Sequence, residues 1–107
     1  MSFVRACGVT DLESGSALAV EVEGVDVALV RSEDEWYAIY DECSHAAIAL
    51  SEGDVEGCEI ECWLHGSRFD LRTGKPTSLP ATEPVPIYPV KLEGDDVLVD
   101  VHAPIEA

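Results

Sequence analysis

The chain has 107 residues, enough for one domain and too few for a comfortable second, and 47% apolar against 26% charged residues is the balance of a folding domain rather than a disordered one. Twenty-two acidic residues against six basic ones give a net charge of -16, which repels polyphosphate and anionic lipid, so nucleic acid and membrane surfaces are excluded as expected partners. No stretch approaches the ~20 consecutive apolar residues of a membrane span, and Met1 to Thr10 lack the basic start and apolar run of a signal peptide. The expectation is a single domain over residues 1–107, cytoplasmic and monomeric, in a compartment that keeps Cys7, Cys43, Cys58 and Cys62 reduced.

Turn residues are frequent and helical periodicity is scarce. Cys7 falls on a first predicted strand and should be buried. Residues 17–23 end in apolar-acidic alternation, Gly24 turns the chain, and Val25 to Val30 resumes a β-rich pattern, predicting a hairpin. Ser32 to Glu35 then separates that strand from Trp36 to Tyr40, whose aromatic and β-branched residues predict another. His45 to Leu50 is the best helix candidate, and its length leaves a turn or two at most.

Cys58 shares strand parity with Ile60 and Cys62 and is expected to point inward. Pro76, Pro80, Pro84, Pro86 and Pro89 exclude a helix through residues 76–89 and predict an extended loop. Tyr88 to Leu92 and Val97 to Val101 flank Glu93-Gly94-Asp95-Asp96, which predicts a closing hairpin. His102 reads as a lone surface residue. The pattern as a whole is all-β, small antiparallel sheets in a sandwich or barrel.

Soft ligands concentrate in two segments, Cys43-Ser44-His45 and Cys62-Trp63-Leu64-His65. Each offers one thiolate and one imidazole from a tight loop. A Cys2His2 set suits tetrahedral zinc, but zinc modules usually pair like with like. A mixed pair per loop lets both thiolates converge on one metal and both imidazoles on a second, as in a Rieske cluster. Structural zinc is the alternative, and a colourless protein holding zinc without iron or sulfide would be its mark.

With these ligand motifs, the sequence resembles the Rieske ferredoxin family. Ser51-Glu52-Gly53 after the first loop, and Gly66-Ser67-Arg68-Phe69-Asp70 with Thr73-Gly74-Lys75-Pro76 after the second, are similar to stand-alone ferredoxins of bacterial oxygenase systems. The likeness covers roughly residues 3–101. It implies an all-β Rieske iron–sulfur domain with two cluster-binding loops at one end, and one [2Fe–2S] cluster held by Cys43 and Cys62 on the inner iron and His45 and His65 on the outer, exposed one. It also implies a soluble one-electron carrier between a flavin-containing ferredoxin reductase and a terminal non-haem iron oxygenase, often one that hydroxylates aromatic rings, with no catalysis of its own. Rival readings are the small subunit of an NADH-dependent nitrite reductase and a Rieske protein associated with iron–sulfur cluster assembly.

Departures from the family pattern refine the expectation. The loop positions that hold an extra disulfide in Rieske proteins of respiratory and photosynthetic complexes are here Ser44, Trp63 and Leu64. High-potential members have a tyrosine where this chain has Phe69, so a potential in the lower part of the range, from roughly -150 mV upward, is implied. Imidazoles on an oxidised iron become more acidic at the free N–H, so the potential is expected to fall at alkaline pH. The proline-rich run near Leu79-Pro80 is expected to cover the cluster. Trp63 reads equally as a shield or a packing residue, and Arg68, Arg72 and Lys75 either balance the cluster charge or pair with nearby acids.

Overall fold

The computed structural model describes residues 3–32, 35–42, 49–62, 66–77, 84–102 and 104. Within these, the chain forms strands β1 Val4–Gly8, β2 Ser16–Val22, β3 Val25–Ser32, β4 Glu35–Tyr40, β5 Asp54–Glu56, β6 Glu59–Glu61, β7 Arg68–Asp70, β8 Ile87–Tyr88, β9 Val90–Glu93 and β10 Asp96–Val99. The helical pieces among the described residues are two 3-10 turns, Val9–Asp11 and Leu50–Glu52. Pairing is antiparallel throughout and makes three sheets, ordered β1-β10-β9, β2-β3-β4-β8 and β5-β6-β7.

The β2-β3 hairpin forms as predicted, in full register from Ser16 opposite Arg31 to Val22 opposite Val25. Its two-residue turn has Glu23 at φ 49° and Gly24 at φ 80°, the doubly left-handed geometry that matches the twist of the flanking strands. The strand that follows is the centre of the molecule. Val27, Ala28, Leu29 and Val30 are all fully buried, so neither face of β3 meets water.

Alternation divides these side chains between two cores. Ala28 and Val30, with Ile39 of β4 and Ile87 of β8, pack against Ile60, Cys62 and Phe69 of the β5-β6-β7 sheet. Val27 and Leu29, with Ala38 and Tyr88, pack against Cys7, Val97 and Val99 of the β1-β10-β9 sheet. The central sheet is therefore covered on both sides, a three-layered refinement of the expected sandwich. Cys7 is buried as predicted, and burial pushes its thiol pKa up.

His102 lies on the surface as expected, its ring paired with the carboxylate of Glu23. Two expectations are corrected. The predicted strand Tyr88 to Leu92 is two strands: Pro89 has no N–H for the ladder, so Ile87–Tyr88 pairs with β4 and Val90–Glu93 pairs with β10. Cys58 sits half-buried in the turn between β5 and β6 instead of pointing into the core, because the turn breaks the parity assumed from Ile60 and Cys62. The helix candidate lies partly outside the described residues. Its end, Leu50, opens a 3-10 turn.

Gly53 controls how closely that turn approaches β6. A Cβ at this position would lie 1.7 Å from the carbonyl oxygen of Glu61 and 2.9 Å from its carbon, so only glycine lets the two backbones meet. Substitution Gly53→Ala must push one backbone away and is expected to lower stability by roughly 2–3 kcal/mol, read as a lower urea midpoint at unchanged slope. A midpoint equal to that of the parent would show that the approach is relaxed at no cost.

Candidate metal centre

Of the four predicted ligands, Cys62 is among the described residues, whereas Cys43, His45 and His65 lie outside them, as do Trp63 and Leu79-Pro80. Cys62 follows directly on β6 and is fully buried, with its sulfur free of any disulfide. Its N–H donates to the carbonyl of Ser67 at 2.7 Å, and its own carbonyl accepts from the N–H of Gly66 at 2.9 Å. Two backbone hydrogen bonds thus close the short segment that carries His65. Ser67 is also fully buried.

The segment that carries Cys43 and His45 is anchored from both sides. Asp41 donates its N–H to the carbonyl of Asp26 at 3.0 Å, which ties it to the start of β3. Its carboxylate accepts the N–H of Ser51 through Oδ1 and the Ser51 hydroxyl through Oδ2, both at 2.7 Å. Leu50, fully buried in the core that holds Cys62, fixes the far side. Because Gly53 abuts Glu61, the base of this first segment stands against the residue that precedes Cys62.

The proline-rich segment is anchored at one side on β7 and at the other on Gly74, beyond the end of that strand. Thr77 donates its N–H to the carbonyl of Arg68 at 2.7 Å, and Val85 donates to the carbonyl of Gly74 at 2.8 Å. Residues bracketing all three segments therefore converge around β6 and β7. That convergence and the donor chemistry fit a [2Fe–2S] centre: a buried, unoxidised thiol at the base of one mixed Cys/His segment, with the second mixed segment anchored beside it.

Sequence reasoning missed the Asp41–Ser51 pair and the Gly53 contact. An Asp two residues before Cys43 and a Ser after Leu50 are ordinary loop residues, and only their hydrogen bonds across the segment distinguish them. Of the basic residues after His65, Arg68 and Arg72 are paired locally. Arg68 reaches Glu61 at 3.1 Å, Glu56 at 3.4 Å and Glu59 at 3.7 Å, and Arg72 reaches Asp70 at 3.3 Å. Partial burial would raise the Asp70 pKa, but the hydrogen bonds and charge of Arg72 outweigh it and hold the carboxyl below its ordinary value. Beside Cys58, Tyr37 has its phenol pKa raised by burial and by the neighbouring thiol.

The outward face of β5-β6-β7 is strongly acidic. The register aligns Asp54, Glu61 and Arg68 in one row and Glu56, Glu59 and Asp70 in the next, while Val55, Ile60 and Phe69 take the inward face. Five carboxylates and one guanidinium thus border the hairpin of Cys62. These exposed ion pairs contribute little stability, at most about 1 kcal/mol each.

Known proteins share the sequence pattern and the fold of this chain. The chain is 43% identical over 101 residues to the biphenyl dioxygenase ferredoxin subunit of Pseudomonas sp. (strain KKS102), covering 94% of this chain and 93% of that one. Its fold is similar to that of the ferredoxin of carbazole 1,9a-dioxygenase from Nocardioides aromaticivorans IC177, with a TM-score of 0.88 and 42% identity over 92% of this chain and 97% of that one. It is likewise similar to a chain from the complex of reduced oxygenase and oxidized ferredoxin in carbazole 1,9a-dioxygenase, with a TM-score of 0.85 and 35% identity over 91% of each chain. The family model for the Rieske [2Fe-2S] domain matches residues 2–89. With a buried cysteine closing one mixed ligand hairpin and the second mixed segment anchored beside it, the chain belongs to the Rieske [2Fe–2S] domain family.

Proposed function

We propose that this chain is a ferredoxin component that takes single electrons from a flavin-containing reductase and delivers them to a terminal non-haem iron oxygenase, with Cys43, Cys62, His45 and His65 as the ligands of its cluster. The observation that carries this reading is the anchoring of both mixed Cys/His segments against β6, in a chain 43% identical to a dioxygenase ferredoxin subunit over 94% of its length. When bound, the cluster supplies a one-electron couple between ferric and ferrous iron.

The chain's own residues do the rest. Cys62 offers its sulfur from inside the apolar core, where burial excludes water from that side of the centre. His45 and His65 sit on the other ligand positions and, as neutral imidazoles in place of thiolates, leave the centre less negative and easier to reduce. The residues on either side of the ligand segments are tied to the central sheet and to one another by hydrogen bonds, which favours electron entry and exit with little rearrangement of protein. The oxygenase, rather than this chain, performs the substrate chemistry. A protein of this kind works in the cytoplasm and as a monomer. Among the described residues, no helix is long and apolar enough to cross a membrane.

The acidic outer face of β5-β6-β7 suits this role. Beside the cluster hairpin it steers the protein toward basic surfaces on reductase and oxygenase, and the net charge of -16 extends the same field over the molecule.

Three outcomes test the proposal. The isolated protein should hold two irons and two acid-labile sulfides per chain and give an EPR signal on reduction; Cys62→Ser should abolish both, while Cys7→Ser and Cys58→Ser keep them. Zinc without iron or sulfide in the parent protein would refute the cluster and the electron-carrier role, and would leave the same residues as a structural zinc site. Because Phe69 is fully buried in the layer that contains Cys62, Phe69→Tyr should raise the midpoint potential by tens of millivolts, if its hydroxyl finds the cluster as acceptor. An unchanged potential with a stability loss of about 1–3 kcal/mol would mean that the hydroxyl is buried without a partner. Electron-transfer rates to reductase and oxygenase should drop about tenfold or more between low and high salt; rates insensitive to salt would remove the steering role.

A further inference from the structure

We infer that Asp41 is a positioning residue for the cluster, acting through a clamp on Ser51 that closes the base of the first ligand segment. This inference rests on Cys43 and His45 being ligands. It goes beyond that assignment because Asp41 and Ser51 are outside the four-residue ligand set, and both oxygens of the Asp41 carboxylate accept hydrogen bonds from Ser51.

The geometry is specific. Asp41 stands two residues before Cys43, and Ser51 follows the buried Leu50 at the other side of the segment. The carboxylate takes two hydrogen bonds from one residue, the N–H and the hydroxyl, each at 2.7 Å, so it fixes both the distance and the orientation of Ser51. The Asp41 backbone is in turn bonded to Asp26 at 3.0 Å, which references the clamp to the central sheet. On the Ser51 side, Gly53 donates its N–H to Leu50 at 2.9 Å and leaves no room for a Cβ against the Glu61 carbonyl.

A continuous chain of contacts therefore runs from Asp41 through Ser51 and Gly53 to Glu61 and Cys62. The clamp sets where the first ligand segment begins and ends relative to the second. Four ligands from two separate segments hold one cluster only if that relation is kept, since misplacement of either base is carried directly to a sulfur or a nitrogen. With the clamp cut, the first segment stays attached at Leu50 and at the Asp41 backbone but loses its closure.

The test uses the cluster-loaded protein. Asp41→Ala should release iron to a ferrous chelator about tenfold faster than the parent after reduction, and should change the EPR line shape. Asp41→Asn keeps one oxygen for the Ser51 N–H and presents an amide donor to the Ser51 oxygen, so it should restore release to within about twofold of the parent. Rescue by the uncharged isostere separates clamping from a charge effect. Parental release rate and line shape in Asp41→Ala would overturn the inference. Should Asp41→Ala not fold, Ser51→Ala and Ser51→Thr decide: faster release in the first and not in the second supports the clamp, and parental behaviour in both overturns it. Cluster retention in Cys43→Ala would instead overturn the ligand assignment, whereas loss there with a parental Asp41→Ala isolates the failure to the clamp.

Discussion

Burial of β3 on both faces is the constraint from which the rest of the architecture follows. Val27 to Val30 are fully buried in succession, and the Val and Leu side chains among them are worth about 1.5–3 kcal/mol each only if something apolar covers them. An antiparallel sheet with one wet face would leave either Ala28 and Val30 or Val27 and Leu29 in water. Two further sheets are therefore required. One combines β1 with β9 and β10, drawing both ends of the described chain onto a single face. The other, β5-β6-β7, covers the opposite face and brings Cys62 into the core with Ile39 and Leu50. Cys62 is thus held by a sheet that the central strand needs for its own burial.

The parts of this arrangement that were readable from the sequence depend on local signals. Alternation in residues 17–23, the Gly24 turn and the aromatic run at Trp36 to Tyr40 are signatures of strand and turn, and β2, β3 and β4 appear where they indicate. The mixed spacing of Cys43-Ser44-His45 and Cys62-Trp63-Leu64-His65 identified the chemistry because so few centres take one thiolate and one imidazole from each of two loops. Burial of β3 on two sides was not readable, since a short apolar run fits any buried strand and does not say how many sheets lie over it.

Other misreadings have equally local causes. Pro89 divides a continuous β-rich run between two sheets by removing one ladder donor. The turn at Gly57-Cys58 resets the parity on which the orientation of Cys58 was judged, and leaves that thiol beside Tyr37. Asp41 and Ser51 are separated by ten positions and carry no pattern of their own. Contacts of that kind arise from the folded path of the chain, which is why they surface only with coordinates.

Rigidity and charge then act on different steps of the same task. An electron carrier gains from a centre that hardly reorganises, and anchoring at Asp26, Leu50, Glu61 and Ser67 supplies this through backbone hydrogen bonds and core packing that salt does not weaken. Encounter with partners depends instead on long-range charge. The carboxylates of Asp54, Glu56, Glu59, Glu61 and Asp70 stand on the solvent side of the strands whose other side packs the core. Strand alternation thereby lets one three-stranded sheet serve both ends: changing an outward acid alters the approach of a partner while leaving Val55, Ile60 and Phe69 in place. Arg68, tied to three of those acids, tempers their mutual repulsion without cancelling it, so the field persists beside the hairpin that begins at Cys62.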